Sequence, residues 1–210
     1  MHAHHSFRSI SGIGLESAIL FAQEGANVLL VDINMMAVEK GARTIADRFP
    51  DIKAIPMKVD VGKEADVKAA VDLAVKEFGR LDVMVDHSFP FLSVTNSMVE
   101  TVQQCWWAVL CSMSSRKPFS ILYIQGVMHP EDDNALNTEE RIWDLTMQIN
   151  LKGVWWGCKY AILAMRQNPT DESKSLHTGG SIINTASFVA LMGAATPQLA
   201  CKHFFMFVNA

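Results

Sequence analysis

Residues 9–32 read SISGIGLESAILFAQEGANVLLVD. Gly12 and Gly14 come just before a helical pattern that carries Leu15, Ile19 and Leu20 on one side. Gly25-Ala26-Asn27 then turns the chain into Val28-Leu29-Leu30-Val31, an unbroken apolar run that ends on Asp32. A strand buried on both faces of a parallel sheet needs such a run, because neither face can carry polar side chains. Each feature alone is common. Glycines, helix, strand and terminal carboxylate in this order are much rarer, and they predict an α/β domain.

The same order carries a chemical expectation. Glycines before a helix let backbone approach a phosphate, and the helix N-terminus offers free N–H groups and positive potential. A carboxylate at the following strand end can accept hydrogen bonds from an adenosine ribose. It also repels a ribose phosphate, which favours NAD over NADP. By itself, Asp32 reads equally well as a solvated aspartate after a strand.

Further along, Met36 to Phe49 is predicted helical, and Pro50 stops it. Ile52 to Val59 is strand-like, although Pro56 weakens it, and leads to Asp60-Val61. Ala65 to Phe78 places Val67, Val71, Ala74, Val75 and Phe78 at helical spacing, with Gly79 as a stop. Leu81 to Val85 reads as another short buried strand. Helix and strand alternate throughout, so the expected fold is a doubly wound parallel sheet with right-handed crossovers. Thr138-Glu139-Glu140 begins a long helix, expected to run to Arg166, with acidic residues favourably in its first turn. Asn168 to Thr178 is a hydrophilic loop. Gly179-Gly180-Ser181-Ile182-Ile183-Asn184-Thr185-Ala186-Ser187 is a turn followed by a buried strand that ends on a hydroxyl. Ligands of open α/β sheets sit beyond the carboxyl ends of the strands, so Ser187 stands where chemistry happens. The plainer reading of Ser187 is a turn or capping serine.

Composition narrows the function. The chain has 210 residues, half of them apolar, which suits one domain with a sizeable core. A formal charge of -4 without a basic patch predicts no nucleic-acid partner and no anionic membrane. Cys105, Cys111, Cys158 and Cys201 form no C-x-x-C pair and read as reduced thiols. His2, His4 and His5 lack a second ligand cluster, so no metal site is expected. There is no signal-peptide core, and a soluble cytoplasmic protein is the expectation.

Taken together, Ser11-Gly12-Ile13-Gly14, Asp32, Asp60-Val61, Leu81-Asp82-Val83-Met84-Val85, Asn150 and Ser187 resemble the short-chain dehydrogenase/reductase family. The resemblance covers about 9–87 and 126–200 and implies a Rossmann-like NAD-binding domain over 1–210. It implies that Ser11, Gly12, Ile13 and Gly14 line the cofactor phosphates and that Asp32 meets the ribose. Asp60 and Val61 would flank the adenine. Ser187 would hydrogen-bond a small alcohol or ketone substrate, and Asn150 would help hold a water in the proton relay. Homo-oligomers are common in the family. Trp155 and Trp156 read as core or subunit contacts.

Three departures accompany the resemblance. The family's T-G-x-x-x-G-x-G pattern follows a first strand, but here Phe7 and Arg8 occupy the threonine and first-glycine positions and no apolar strand precedes them. The expected sheet is therefore incomplete, with its neighbouring strands short of a shared partner. After Asp86-His87-Ser88, residues 88–125 read as an insertion, and Gly126 to Pro130 looks like the interrupted turn resumed. One hypothesis is that Ser120 to Gln125 forms a strand in the vacant position. Finally, Cys201 and Phe205 stand where the family's Y-x-x-x-K motif places tyrosine and lysine, and the C-terminal strands are missing. The resemblance thus implies an NAD(P)-dependent oxidoreductase impaired in catalysis. The alternatives are a non-catalytic cofactor-binding or interaction protein, or a mis-spliced product of such a gene.

Overall fold

The computed structural model describes residues 13–87, 120–125, 129–134, 136–170, 172 and 177–185. Among the described residues, five parallel strands form one sheet: β1 (Asn27–Asp32), β2 (Ala54–Lys58), β3 (Val83–His87), β4 (Ser120–Gln125) and β5 (Ser181–Thr185). The helices are α1 (Ile13–Gln23), α2 (Met35–Arg48), α3 (Glu64–Phe78), α4 (Glu140–Met147) and α5 (Val154–Met165). A wider π turn, Gln148–Gly153, joins the last two. The expected single helix is therefore continuous in direction but loosened in the middle.

The sheet order is β2-β1-β4-β3-β5. The vacancy expected between β1 and β3 is filled: Ser120–Tyr123 pair with Asn27–Leu30 on one side, and Ile121–Gln125 pair with Val83–His87 on the other. The backbone N–H and C=O groups of both neighbours gain partners that they would otherwise lack. Pro56 sits in β2, opposite Leu30. β2 is the edge strand of the described sheet, where a residue without an N–H is tolerated.

Alternation along β1 feeds two cores. Val28 and Leu30 face Phe21 and Ala22 of α1 and Val38, Ala42 and Ile45 of α2. Leu29 and Val31 face Val67, Val71 and Ala74 of α3 and Trp156, Ala161 and Met165 of α5. One helix pair on each face makes the domain three-layered and doubly wound, as the helix–strand alternation predicts. Trp156 is buried in the second core, whereas Trp155 is half exposed.

β3 begins two residues later than its apolar run suggests. The cause is a polar clasp at its start. Asn168 accepts the Leu81 N–H at 3.0 Å and donates to the Leu81 carbonyl at 2.7 Å and the Gly179 carbonyl at 2.8 Å. Leu81 has thus spent its backbone groups on a side chain, and the ladder starts at Val83. Beside it, Arg80 forms a buried two-pronged ion pair with Asp82 at 2.6–2.9 Å and donates to the Pro169 carbonyl at 3.1 Å. Ser181 N–H reaches the Asp82 carbonyl at 2.8 Å, which locks β5 in register.

Candidate functional site

All five strands are parallel, and α1 leads through the turn at Glu24–Ala26 into the amino end of β1. The N-terminus of α1 therefore lies at the carboxyl end of the sheet. Gly14 belongs to its first turn, and Ile13 is its first residue. Ser11 and Gly12 lie outside the described residues.

Asp32 closes β1 at the same end and is buried, with 5% of its surface exposed. Its Oδ1 accepts the Asn34 N–H at 2.6 Å, and Asn34 Oδ1 in turn accepts the Ala37 N–H at 3.3 Å, capping α2. The carboxylate is thus held rigidly by the turn that starts the next helix. The adjacent strand end carries Asp60 and Val61, brought close by the Val59 N–H to Asp32 carbonyl bond at 2.9 Å. Asp60 fixes its own loop: Oδ1 accepts the Gly62 N–H at 3.0 Å, Oδ2 meets Lys63 Nζ at 3.1 Å, and its N–H donates to Asp66 at 3.1 Å.

Asn150 is buried in the π turn. The turn packs on the Asp60–Lys63 loop: Gln148 Nε2 donates to the Gly62 carbonyl at 2.9 Å. A Cβ on Gly153 would stand 2.7 Å from the Val61 carbonyl oxygen. The chain thus brings Asp32, Asp60, Val61 and Asn150 to one end of the sheet with the start of α1. Ser187 lies outside the described residues; β5, which leads to it, points to this end. The positions of Cys201 and Phe205 also lie outside them.

A second polar cluster lies beneath the strands. Cys158 of α5 is buried, and Asn184 Nδ2 of β5 donates toward its Sγ at 3.6 Å. Burial raises the thiol pKa above its ordinary value, and the nearby Asp86 adds to the rise. On the outer surface, Glu64 of α3 accepts from Lys159 Nζ at 2.8 Å and Tyr160 OH at 2.7 Å, tying α3 to α5. Those two hydrogen bonds, that of Lys159 first, hold the Glu64 carboxyl below its ordinary value. Among the described residues, no three His, Cys, Asp or Glu side chains converge as metal ligands, and no helix is long and apolar enough to cross a membrane.

Sequence reasoning did not single out Arg80, Gln148, Gly153 or Asn168. The pattern Arg80-Leu81-Asp82 held one usable signal: opposite charges two residues apart at a strand start lie on the same face and can pair.

With this geometry in view, the comparisons are consistent. A sequence model described as enoyl-(acyl carrier protein) reductase matches residues 8–124, more than half of the chain. The cyclohexanol dehydrogenase of Acinetobacter sp. (strain SE19) is 27% identical over 197 residues, covering 92% of this chain and 58% of that protein. The levodione reductase of Leifsonia aquatica is 25% identical over 195 residues, covering 92% of this chain and 55% of the relative. A crystal structure of levodione reductase superposes with a TM-score of 0.64 at 21% identity, covering 92% of this chain and 57% of that one. A parallel sheet wrapped on both faces by helices is a Rossmann-like α/β fold. The chain belongs to the short-chain dehydrogenase/reductase family. It spans a little over half the length of these relatives.

Proposed function

We propose that this chain is the cofactor-binding part of an NAD(P)-linked oxidoreductase that interconverts a small alcohol and its carbonyl compound, with NAD preferred. The observation that carries the reading is Asp32: a rigidly held, buried carboxylate at the carboxyl end of β1, where α1 begins. The residues fit the group. A carboxylate accepts the two O–H donors of a ribose diol but repels a phosphate on the same ribose. The N-terminus of α1, with Gly14 in its first turn, suits a pyrophosphate. Asp60 and Val61 stand where the adenine would lie, and Ser11, Gly12 and Ile13 complete the phosphate turn in this reading.

A bound nicotinamide would supply the hydride. The protein's part is to hold the substrate oxygen and move its proton. Ser187 is the proposed donor to that oxygen, and Asn150 the group that supports a water-borne proton path. Cys201 at the tyrosine position reaches less far than a phenol by roughly a ring's length. Absence of a positioned acid/base typically costs about 10²–10⁴-fold in rate. The proposed chain therefore binds cofactor and turns over slowly. A non-catalytic cofactor-binding protein is the second reading, favoured by the pair Cys201 and Phe205.

The test is a parallel titration of the 210-residue protein with NADH and NADPH, using energy transfer from tryptophan and light scattering on the same sample. Saturable NADH binding to a monodisperse protein, with NADPH weaker, supports the reading. Equal or tighter NADPH binding removes the role of Asp32, and binding of neither removes the cofactor. Slow oxidation of a secondary alcohol separates the enzyme from the non-catalytic binder.

A further inference from the structure

The loop that follows β2 and the π turn that carries Asn150 touch at two points, and Asn150 lies between them. Before Asn150, Gln148 Nε2 donates to the Gly62 carbonyl at 2.9 Å. Next to it, Ile149 Cγ1 lies 3.6 Å from where a Gly62 Cβ would stand. After Asn150, Gly153 is so close to the Val61 carbonyl oxygen that an added Cβ would lie 2.7 Å from it. The Gly153 contact is backbone against backbone and does not yield by a rotamer change, whereas the Gln148 contact is a side-chain amide held on loop backbone.

The loop itself is stiff. Asp60 spends its carboxylate on Gly62 and Lys63, and its N–H on Asp66. The Lys63 N–H closes the turn on the Asp60 carbonyl at 2.9 Å. A displacement at Asp60 would therefore carry Gly62 and Lys63 with it. The π turn is a local i+5 departure within an otherwise α-helical run, the kind of irregularity that often marks a functional site.

We infer that Gln148 and Gly153 are positioning residues, which set the backbone of Asn150 according to what occupies the Asp60–Val61 loop. The inference rests on the cofactor reading above, in which that loop meets the adenine. It makes the adenine end of the cofactor a determinant of the group proposed to support proton transfer at the other end.

The experiment uses the full 210-residue protein, labelled with nitrogen-15, and 5′-AMP as the probe. AMP carries the adenine half only, so it has no nicotinamide with which to touch Asn150. The side-chain amide signal of Asn150 is assigned by its loss in Asn150→Asp. Saturating AMP is expected to shift that signal in the parent protein. In Gln148→Met, which keeps length but has no donor, AMP still saturates and the shift is lost. In Gln148→Lys, which restores a donor of similar reach, the shift returns. Gly153→Ala is expected to lose the shift as well, and Gln148→Met keeps the test decisive if Gly153→Ala does not fold. AMP binding with no shift at Asn150, or an unchanged shift in Gln148→Met, overturns the inference and leaves the cofactor reading standing. NADH binding without AMP binding also overturns it. Failure of both ligands to bind overturns the inference and the cofactor reading together.

Discussion

Asn168 grips Leu81 across its peptide groups: Oδ1 accepts the Leu81 N–H at 3.0 Å while Nδ2 donates to the Leu81 carbonyl at 2.7 Å. The side chain stands in for a neighbouring strand, and both residues are buried. Asn168→Ala leaves the N–H and carbonyl of Leu81 without these bonds, away from water. The expected cost is about 1–3 kcal/mol, since an unmade bond to a buried group costs its desolvation. A urea titration measures it. A midpoint equal to that of the parent would show that the clasp adds nothing.

The neighbouring ion pair predicts an inequality between two variants. Arg80→Met strands a carboxylate that has only 7% of its side chain exposed, and breaking a buried pair in this way costs about 3–5 kcal/mol. Replacing both residues, as Arg80→Met with Asp82→Leu, removes the stranded charge. The double variant is therefore expected to unfold at higher urea than Arg80→Met alone. The opposite order would mean that Asp82 finds enough water in the single variant to stay solvated.

The Glu64 network sets a pH dependence. Lys159 and then Tyr160 hold the Glu64 carboxyl below the ordinary 4.5. Folding thus favours the deprotonated form. The stability it adds is complete above 4.5 and is lost as pH falls through the lower, folded value. Glu64 in turn raises Lys159 above 10.5, so that side of the pair contributes fully below 10.5 and fades as pH climbs past it. Glu64→Gln is expected to flatten the acid limb of the urea midpoint against pH. Added salt shrinks the difference between the two proteins, because the pair is partly exposed. Parallel acid limbs would remove Glu64 from the account.

Cys158 offers a chemical probe of the α5–β5 contact. Its thiol is buried, and burial holds its pKa above 9.0, so little reactive thiolate forms at neutral pH. Alkylation mapped by peptide mass spectrometry is expected to leave Cys158 unlabelled in the native protein. Labelling should rise along the same urea curve as global unfolding. Rapid native labelling of Cys158 would mean that α5 lifts from β5 on its own.

Much of the frame could be read from apolar spacing. Val67, Val71 and Ala74 in α3, and the run Val28 to Val31 in β1, carry local periodicities that need no knowledge of distant residues. The strand at Ser120–Gln125 was also open to a hypothesis, because an apolar run and a missing sheet position suit each other. What stayed hidden depends on partners far apart in the chain. Asn168 and Leu81 are 87 residues apart, and nothing near Asn168 distinguishes it from the polar loop that follows. The loosening of the helix at Gln148–Gly153 was hidden for the same reason, because its contacts lie on the Val61–Gly62 loop. At the candidate site, Asp32 and the Asp60–Val61 pair were legible as strand-end residues. Their rigidity was not, since it comes from hydrogen bonds to Asn34, Gly62 and Lys63.

The place of β4 in the sheet also has a consequence for synthesis. β1 and β2 can pair soon after both leave the ribosome, for they are neighbours in space and nearly so in sequence. β3 cannot join them, because the position between β1 and β3 belongs to a strand that is translated later. Until Gln125 has emerged, the nascent chain carries a finished two-stranded piece and a separate apolar segment, each with an open edge. The other edge of β3 waits longer still, for β5 at Ser181–Thr185, so holding factors on the ribosome would find an open strand edge from the translation of His87 to that of Thr185.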